Sequence, residues 1–142
     1  MIISLRMAKV LLETSEKKAR EMGLSENIAI VDEGGNLNGF IGMDNAKLAG
    51  IEIAIDKAWT SVAMQMPTSN LATAAQPGGA SYGINTTNQG RIVVLGGGIP
   101  FVYNNKIVGG IGVSGATSAQ DIEVANAAVS VFDAMIQQQQ QH

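Results

Sequence analysis

Between Lys106 and Ala125 the chain carries glycine at close intervals and then turns polar: Gly109-Gly110-Ile111-Gly112-Val113-Ser114-Gly115 runs into Ala116-Thr117-Ser118-Ala119-Gln120-Asp121. The spacing predicts a strand over Lys106–Val113, a tight loop over Ser114–Thr117 and a helix to about Met135. Ser118 with Asp121 three residues on resembles a capping box in which Asp replaces Glu. Glycines allow another group to approach the backbone closely, whether a packed element or a ligand. The first amides and the positive dipole end of the helix attract anions. Both uses of the glycines stay open at this stage. The spacing does exclude two chemistries. A dinucleotide or P-loop site needs a parallel βαβ unit or a Gly-Lys-Ser/Thr ending, and neither is present. A nucleophile elbow at Ser114 would need glycine at position 116, which is Ala116, and the only histidine is His142.

The elements before this segment are legible from periodicity. Leu5, Ala8, Leu11, Leu12, Ser15, Ala19 and Met22 form one stripe of a helix over Ser4–Met22, with Gly23 as its stop. Asn27–Val31 and Leu37–Met43 are β-type runs around the turn cluster Asp32-Glu33-Gly34-Gly35-Asn36, and predict a hairpin. Asp44 is placed to cap a second helix that runs to about Met66 and is stopped by Pro67. That helix is apolar on most sides, so it is expected to pack on a sheet and on something else, such as another subunit. Thr68–Gly90 is a polar, glycine-containing stretch with a short helix over Ser69–Ala75 and a long loop. Strands are expected at Arg91–Leu95, Ile99–Tyr103 and Lys106–Val113, the last two joined by Asn104-Asn105, which suits a two-residue turn. The predicted order is α-β-β-α-loop-β-β-β-α, an α+β fold with a five-stranded antiparallel sheet.

Composition narrows the function classes. The chain has 142 residues, no cysteine and a formal charge of -3, with 46% hydrophobic and 15% charged residues. This predicts one domain over residues 1–136 and a frayed glutamine tail over 137–142. Without cysteine there are no disulfides, thiolate metal sites or thiol nucleophiles, which fits a cytoplasmic protein. No basic face points to nucleic acid. Lys47, Glu52, Asp56 and Lys57 interrupt the apolar helix and argue against a membrane span. Met1–Ser4 is too short for a signal-peptide core. Among charged side chains Lys57 stands out, because it lies in the apolar run Ala-Ile-Asp-Lys-Ala-Trp. A buried lysine must find an acceptor, either a ligand carboxylate or a protein carboxylate. Gly96-Gly97-Gly98-Ile99-Pro100 is a second glycine cluster that could line the same pocket or make a wide turn. No metal site is expected.

Taken in order, Ile28-Ala-Ile-Val-Asp-Glu-Gly-Gly-Asn-Leu37, Met43-Asp44 with Ala46, Ile55-Asp-Lys57-Ala-Trp-Thr60, Gly97-Gly98-Ile-Pro100, Ile111-Gly-Val-Ser-Gly115, and Asp121 with Ala125 resemble the GlcG/HbpS-like family, which includes the C-terminal domain of PduO-type proteins. The resemblance spans about Ala8 to Val131. It implies a profilin-like fold, homo-oligomers and, in some members, haem. It points to Asp44, Lys57, Gly97, Gly98, Pro100, Ser114, Gly115 and Asp121 as ligand-binding candidates, with no catalytic role for any of them. The core lacks His and Cys, so a haem would have to use Tyr82, Tyr103, Thr117 or a methionine such as Met22, Met43, Met64 or Met66. Three functions follow as expectations: a binder of haem or another small anion, an enzyme or enzyme accessory for a hydroxy-acid or diol metabolite related to glycerol or diol metabolism, and a scaffold without a ligand.

Overall fold

The computed structural model describes residues 3–140. Helix α1 (Leu5–Glu21) begins at Ser4, whose hydroxyl accepts from the Met7 amide at 3.1 Å. Strands β1 (Asn27–Asp32) and β2 (Leu37–Gly42) form the expected hairpin. In its turn the Asp32 carboxylate accepts from the Gly34 and Asn36 amides, both at 2.9 Å. Helix α2 (Ala49–Ala63) is followed by α3 (Thr68–Ala74) and a turn-rich segment containing short 3-10 turns. Strands β3 (Gly98–Tyr103) and β4 (Lys106–Ser114) close on Asn104 and Asn105, both with positive φ, as their turn requires. Helix α4 (Ser118–Gln140) completes the described chain and passes the end expected near Met135.

Among the described residues the sheet has four strands, ordered β2-β1-β4-β3, with every neighbour antiparallel. The α+β class holds, but the fifth strand expected at Arg91–Leu95 does not form. Its backbone groups bond to a helix side chain instead. The Thr60 hydroxyl donates to the Arg91 carbonyl at 3.0 Å and accepts from the Val93 amide at 3.1 Å. Asp56 then accepts from Arg91 Nε at 3.3 Å, and the guanidinium lies 4.3 Å from the Trp59 ring centroid. Main-chain groups bonded in this way have no need of a ladder.

Two helix boundaries also differ from expectation. Asp44 does not cap α2. Asn45 turns the chain at φ 68°, and the helix begins at Ala49 with no side-chain cap. At the other end Gln65 adopts φ 58°, so α2 ends before Pro67 can act on it. The cap of α4 is a true capping box one residue earlier than expected. The Gln120 amide donates to Thr117 Oγ1 at 3.2 Å, and the Thr117 amide donates to Gln120 Oε1 at 3.1 Å.

Side-chain alternation divides the core between the two sheet faces. Ile28, Ile30, Ile111 and Val113 face α1 and α4, where Phe101 and Phe132 stack with centroids 4.9 Å apart. Ala29 and Val31 face α2 through Ala54 and Ala58. The α2 face of β4 has almost no side chains. A Cβ on Gly112 would sit 2.5 Å from the Ala58 amide nitrogen, and one on Gly110 would sit 3.0 Å from the Ala58 carbonyl oxygen. The helix therefore rests directly on strand backbone, and this packing accounts for Gly110 and Gly112.

Candidate functional site

Three ionisable side chains meet where α2, α4 and the start of β1 converge. Lys57 and Asp121 are each 2% exposed, and Glu26 is fully buried. Lys57 Nζ donates to the Val113 carbonyl at 2.7 Å and to Asp121 Oδ2 at 3.2 Å. The other carboxylate oxygen, Asp121 Oδ1, accepts from the Ala116 amide at 3.1 Å. Lys57 and Asp121 thus hold the loop that joins β4 to α4 from beneath. Burial pushes the Lys57 ammonium below its ordinary value, and the Asp121 carboxylate partly restores it. Glu26 is different. Neither of its carboxyl oxygens accepts from an N–H or a hydroxyl, and its one side-chain hydrogen-bond contact is with the Asp121 carboxyl. Burial, reinforced by the Asp121 carboxyl beside it and opposed by Lys57, lifts Glu26 from the ordinary 4.5 to about 8. At neutral pH this carboxyl keeps its proton.

Above the cluster lies a cavity of about 160 Å³ lined by Lys47, Ala49, Gly50, Ile53, Ser114, Gly115 and Ala116. It occupies the joint between the starts of α2 and α4. Two glycines let its walls pack closely on the start of β1. A Cβ on Gly50 would lie 2.5 Å from Asn27 Nδ2, and one on Gly115 would lie 2.8 Å from Glu26 Oε2. Asn27 fixes the Lys47 end, because its Nδ2 donates to the Lys47 carbonyl at 2.9 Å. At the α4 end several amides are already engaged: Ala116 by Asp121, Thr117 and Gln120 by their capping box, and Asp121 by the Thr117 carbonyl. A wider cleft of about 460 Å³, bordered by Glu16, Arg20, Leu24, Met43 and Asp44, lies elsewhere on the surface. Its acidic side chains outnumber its single cation, which suits an anion poorly.

The family model for haem degrading protein HbpS-like proteins matches residues 3–130. The chain belongs to the HbpS-like family. An uncharacterised 15.0 kDa protein from the dhaT-dhaS intergenic region of Citrobacter freundii is 38% identical over 130 residues, covering 92% of each chain. The crystal structure of ORFY from Klebsiella pneumoniae superposes with a TM-score of 0.91 at 37% identity, covering 93% of this chain and 91% of that one. The crystal structure of a PduOC–haem complex superposes with a TM-score of 0.88 at 32% identity, covering 92% of this chain and 94% of that one.

Within this HbpS-like chain the sequence candidates separate into groups. Lys57, Gly97, Ser114, Gly115 and Asp121 converge on the buried cluster and its loop. Gly97, at φ 128°, would bring a Cβ within 2.9 Å of Lys57 Nζ. Gly98 packs on the α2 backbone, and its amide donates to Thr68 Oγ1 at 2.9 Å. Pro100 pairs with Gly110 within the sheet. Asp44 is exposed on the wider cleft. Of the two partners open to Lys57, the structure supplies the protein carboxylate. Sequence reasoning missed Glu26, Lys47 and Gly50. A charged residue two positions before the apolar run Ile28–Val31 was the available signal for Glu26. Among the described residues no helix is long and apolar enough to cross a membrane.

Proposed function

We propose that this HbpS-like protein binds a small anionic molecule in the cavity at Ser114–Ala116. The observation that carries this reading is the cavity itself, where Lys47 and the uncapped start of α2 face the Ser114–Gly115 wall. A cationic side chain and a helix start favour a carboxylate or phosphate over a neutral solute. At roughly 30 Å³ per water-sized occupant, a cavity of about 160 Å³ takes about five heavy atoms, the size of a short carboxylic or hydroxy acid. In this reading Lys47 balances the ligand charge and the Ser114 hydroxyl hydrogen-bonds to it. Gly50 and Gly115 let the cavity walls sit against Asn27 and Glu26. Lys57, Asp121 and Gly97 position the loop without touching the ligand. A thermal-shift titration with acetate, lactate and inorganic phosphate tests the reading. Saturable stabilisation by one of them, weakened at least tenfold in Lys47→Met, is expected. No shift with any of the three overturns it.

The PduOC complex favours a second reading, in which the ligand is haem. The cavity residues do not fit it. Drug-sized ligands need roughly 300 Å³ or more, and the described residues include no His or Cys. Met43 is packed against the core, with its sulfur accepting the Glu26 amide at 3.4 Å. Haem would therefore have to bind outside this cavity. Titration with haemin decides: absence of a Soret shift removes this reading. We also expect a homo-oligomer, because Leu48 is 84% exposed and Ile51 is exposed beside it at the start of α2. Light scattering that gives a monomer mass would sink that expectation.

A further inference from the structure

Glu26 has no role in the ligand contacts above, yet it is buried, no N–H or hydroxyl reaches its oxygens, and its side-chain contact is a second carboxyl, Asp121. Such a group is costly unless it is neutral or meets water or an ion. Its surroundings leave few ways to accommodate charge. The charged groups facing it are Asp121 from α4 and Lys57 from α2, two carboxyls in all around one ammonium. Lys57 spends two of its three N–H donors on Val113 and Asp121, and it makes no hydrogen bond to Glu26. Part of the cover over Glu26 is glycine. There Gly115, which has no side chain and is half-exposed, lies against Glu26 Oε2. The adjoining Ala116 amide is tied to the same cluster through Asp121.

We propose that Glu26, Asp121 and Lys57 form a proton-operated latch on the Ser114–Ala116 loop. With Glu26 neutral, the cluster carries one carboxylate and one ammonium, and the loop stays closed through the Asp121–Ala116 hydrogen bond. When Glu26 loses its proton, its carboxylate needs hydration, and water reaches it across Gly115. The loop then swings out and the Ala116 amide is released. Because Ser114–Ala116 is a wall of the cavity, opening would remake the cavity. That bearing on binding rests on the ligand reading above, whereas the latch itself needs no ligand.

Hydrogen exchange at the Ala116 amide, corrected for the intrinsic effect of pH, tests the latch in ligand-free protein between pH 6.5 and 9.5. In the parent protein, protection at Ala116 is expected to fall at least tenfold across a single transition near pH 8, while amides in the middle of β1 keep theirs. In Glu26→Gln the fall should be absent. An identical fall in parent and variant, or a flat profile in the parent, overturns the proposal. If Glu26→Gln is poorly folded, Glu26→Asp serves as the second variant, and the transition should persist at a shifted midpoint. Carbon-13 detection of the Glu26 carboxyl gives an independent reading, and a midpoint below pH 6 would also overturn the latch. Retained ligand affinity with no latch transition refutes only the latch. A transition without ligand binding refutes only the ligand reading.

Discussion

Lys57→Met keeps the unbranched side chain as far as Cε, with sulfur in place of one methylene, and removes the ammonium. In the native protein that ammonium donates to the Val113 carbonyl and to Asp121, with both side chains almost wholly enclosed. The ion pair is no large source of net stability, because burial already works against the charged lysine. Removing one partner is another matter. It leaves the Asp121 carboxylate buried without a cation, held only by the Ala116 amide and the neutral Glu26 carboxyl. Breaking a buried pair in this way costs about 3–5 kcal/mol. At about 3 °C per kcal/mol for a domain of this size, the melting temperature should drop by about 10 °C. Urea unfolding followed by circular dichroism at pH 7 measures the cost. The double variant Lys57→Met, Asp121→Asn removes both charges and keeps an acceptor for Ala116, so it should recover about 2 kcal/mol or more of the loss. A cost below about 1 kcal/mol for the single variant, or simple additivity in the double, would refute the role given to this pair.

Three further outcomes are expected. Glu26 binds its proton more tightly folded than unfolded, so its contribution to stability is complete below pH 4.5 and lost as pH rises to about 8. At about 1.4 kcal/mol per pH unit this amounts to on the order of 5 kcal/mol in all, and chemical denaturation of Glu26→Gln from pH 5 to 9 should show a profile flatter by about 4 kcal/mol, the share that falls in that range. Gly112→Ala drives a Cβ into the α2 backbone and should cost about 3 kcal/mol or more, whereas Gly78→Ala, with no atom within 4 Å but a φ of 85°, should cost about 1 kcal/mol; equal costs in thermal melts would count against the packing account. Thr117→Ala should lose about 1 kcal/mol through the α4 cap, and Ser118→Ala should stay within about 0.5 kcal/mol; the reverse order would restore Ser118 as the cap.

The fold was largely legible because its signals are local. The stripe of α1, the turn residues at Asp32–Asn36 and Asn104–Asn105, and the glycine-rich β4 each act through near neighbours in the chain. The false strand at Arg91–Leu95 has strand-like composition, and what decides against it is the Thr60 hydroxyl, a long-range bond that no window of sequence contains. Asp44 failed as a cap for a local reason: the left-handed turn at Asn45 delays the helix until Ala49. At the site, the oddness of Lys57 was visible in its apolar run, but its partner lies 64 residues away. Glu26 was invisible as a member of that cluster, since its meaning comes wholly from the side chains that close over it.

The glycine stripe of β4 bears on how the two ends of the site communicate mechanically. Side chains between a helix and a sheet usually act as a cushion, and a small displacement is absorbed by a change of rotamer. At Gly110 and Gly112 that cushion is missing, so α2 and β4 bear on each other backbone to backbone. A push on the exposed start of α2 would find no soft layer there in which to dissipate. It passes as a rigid shift into β4, whose last residue is Ser114. The stripe thus works as a stiff linkage between the outer surface of the helix and the loop over Glu26.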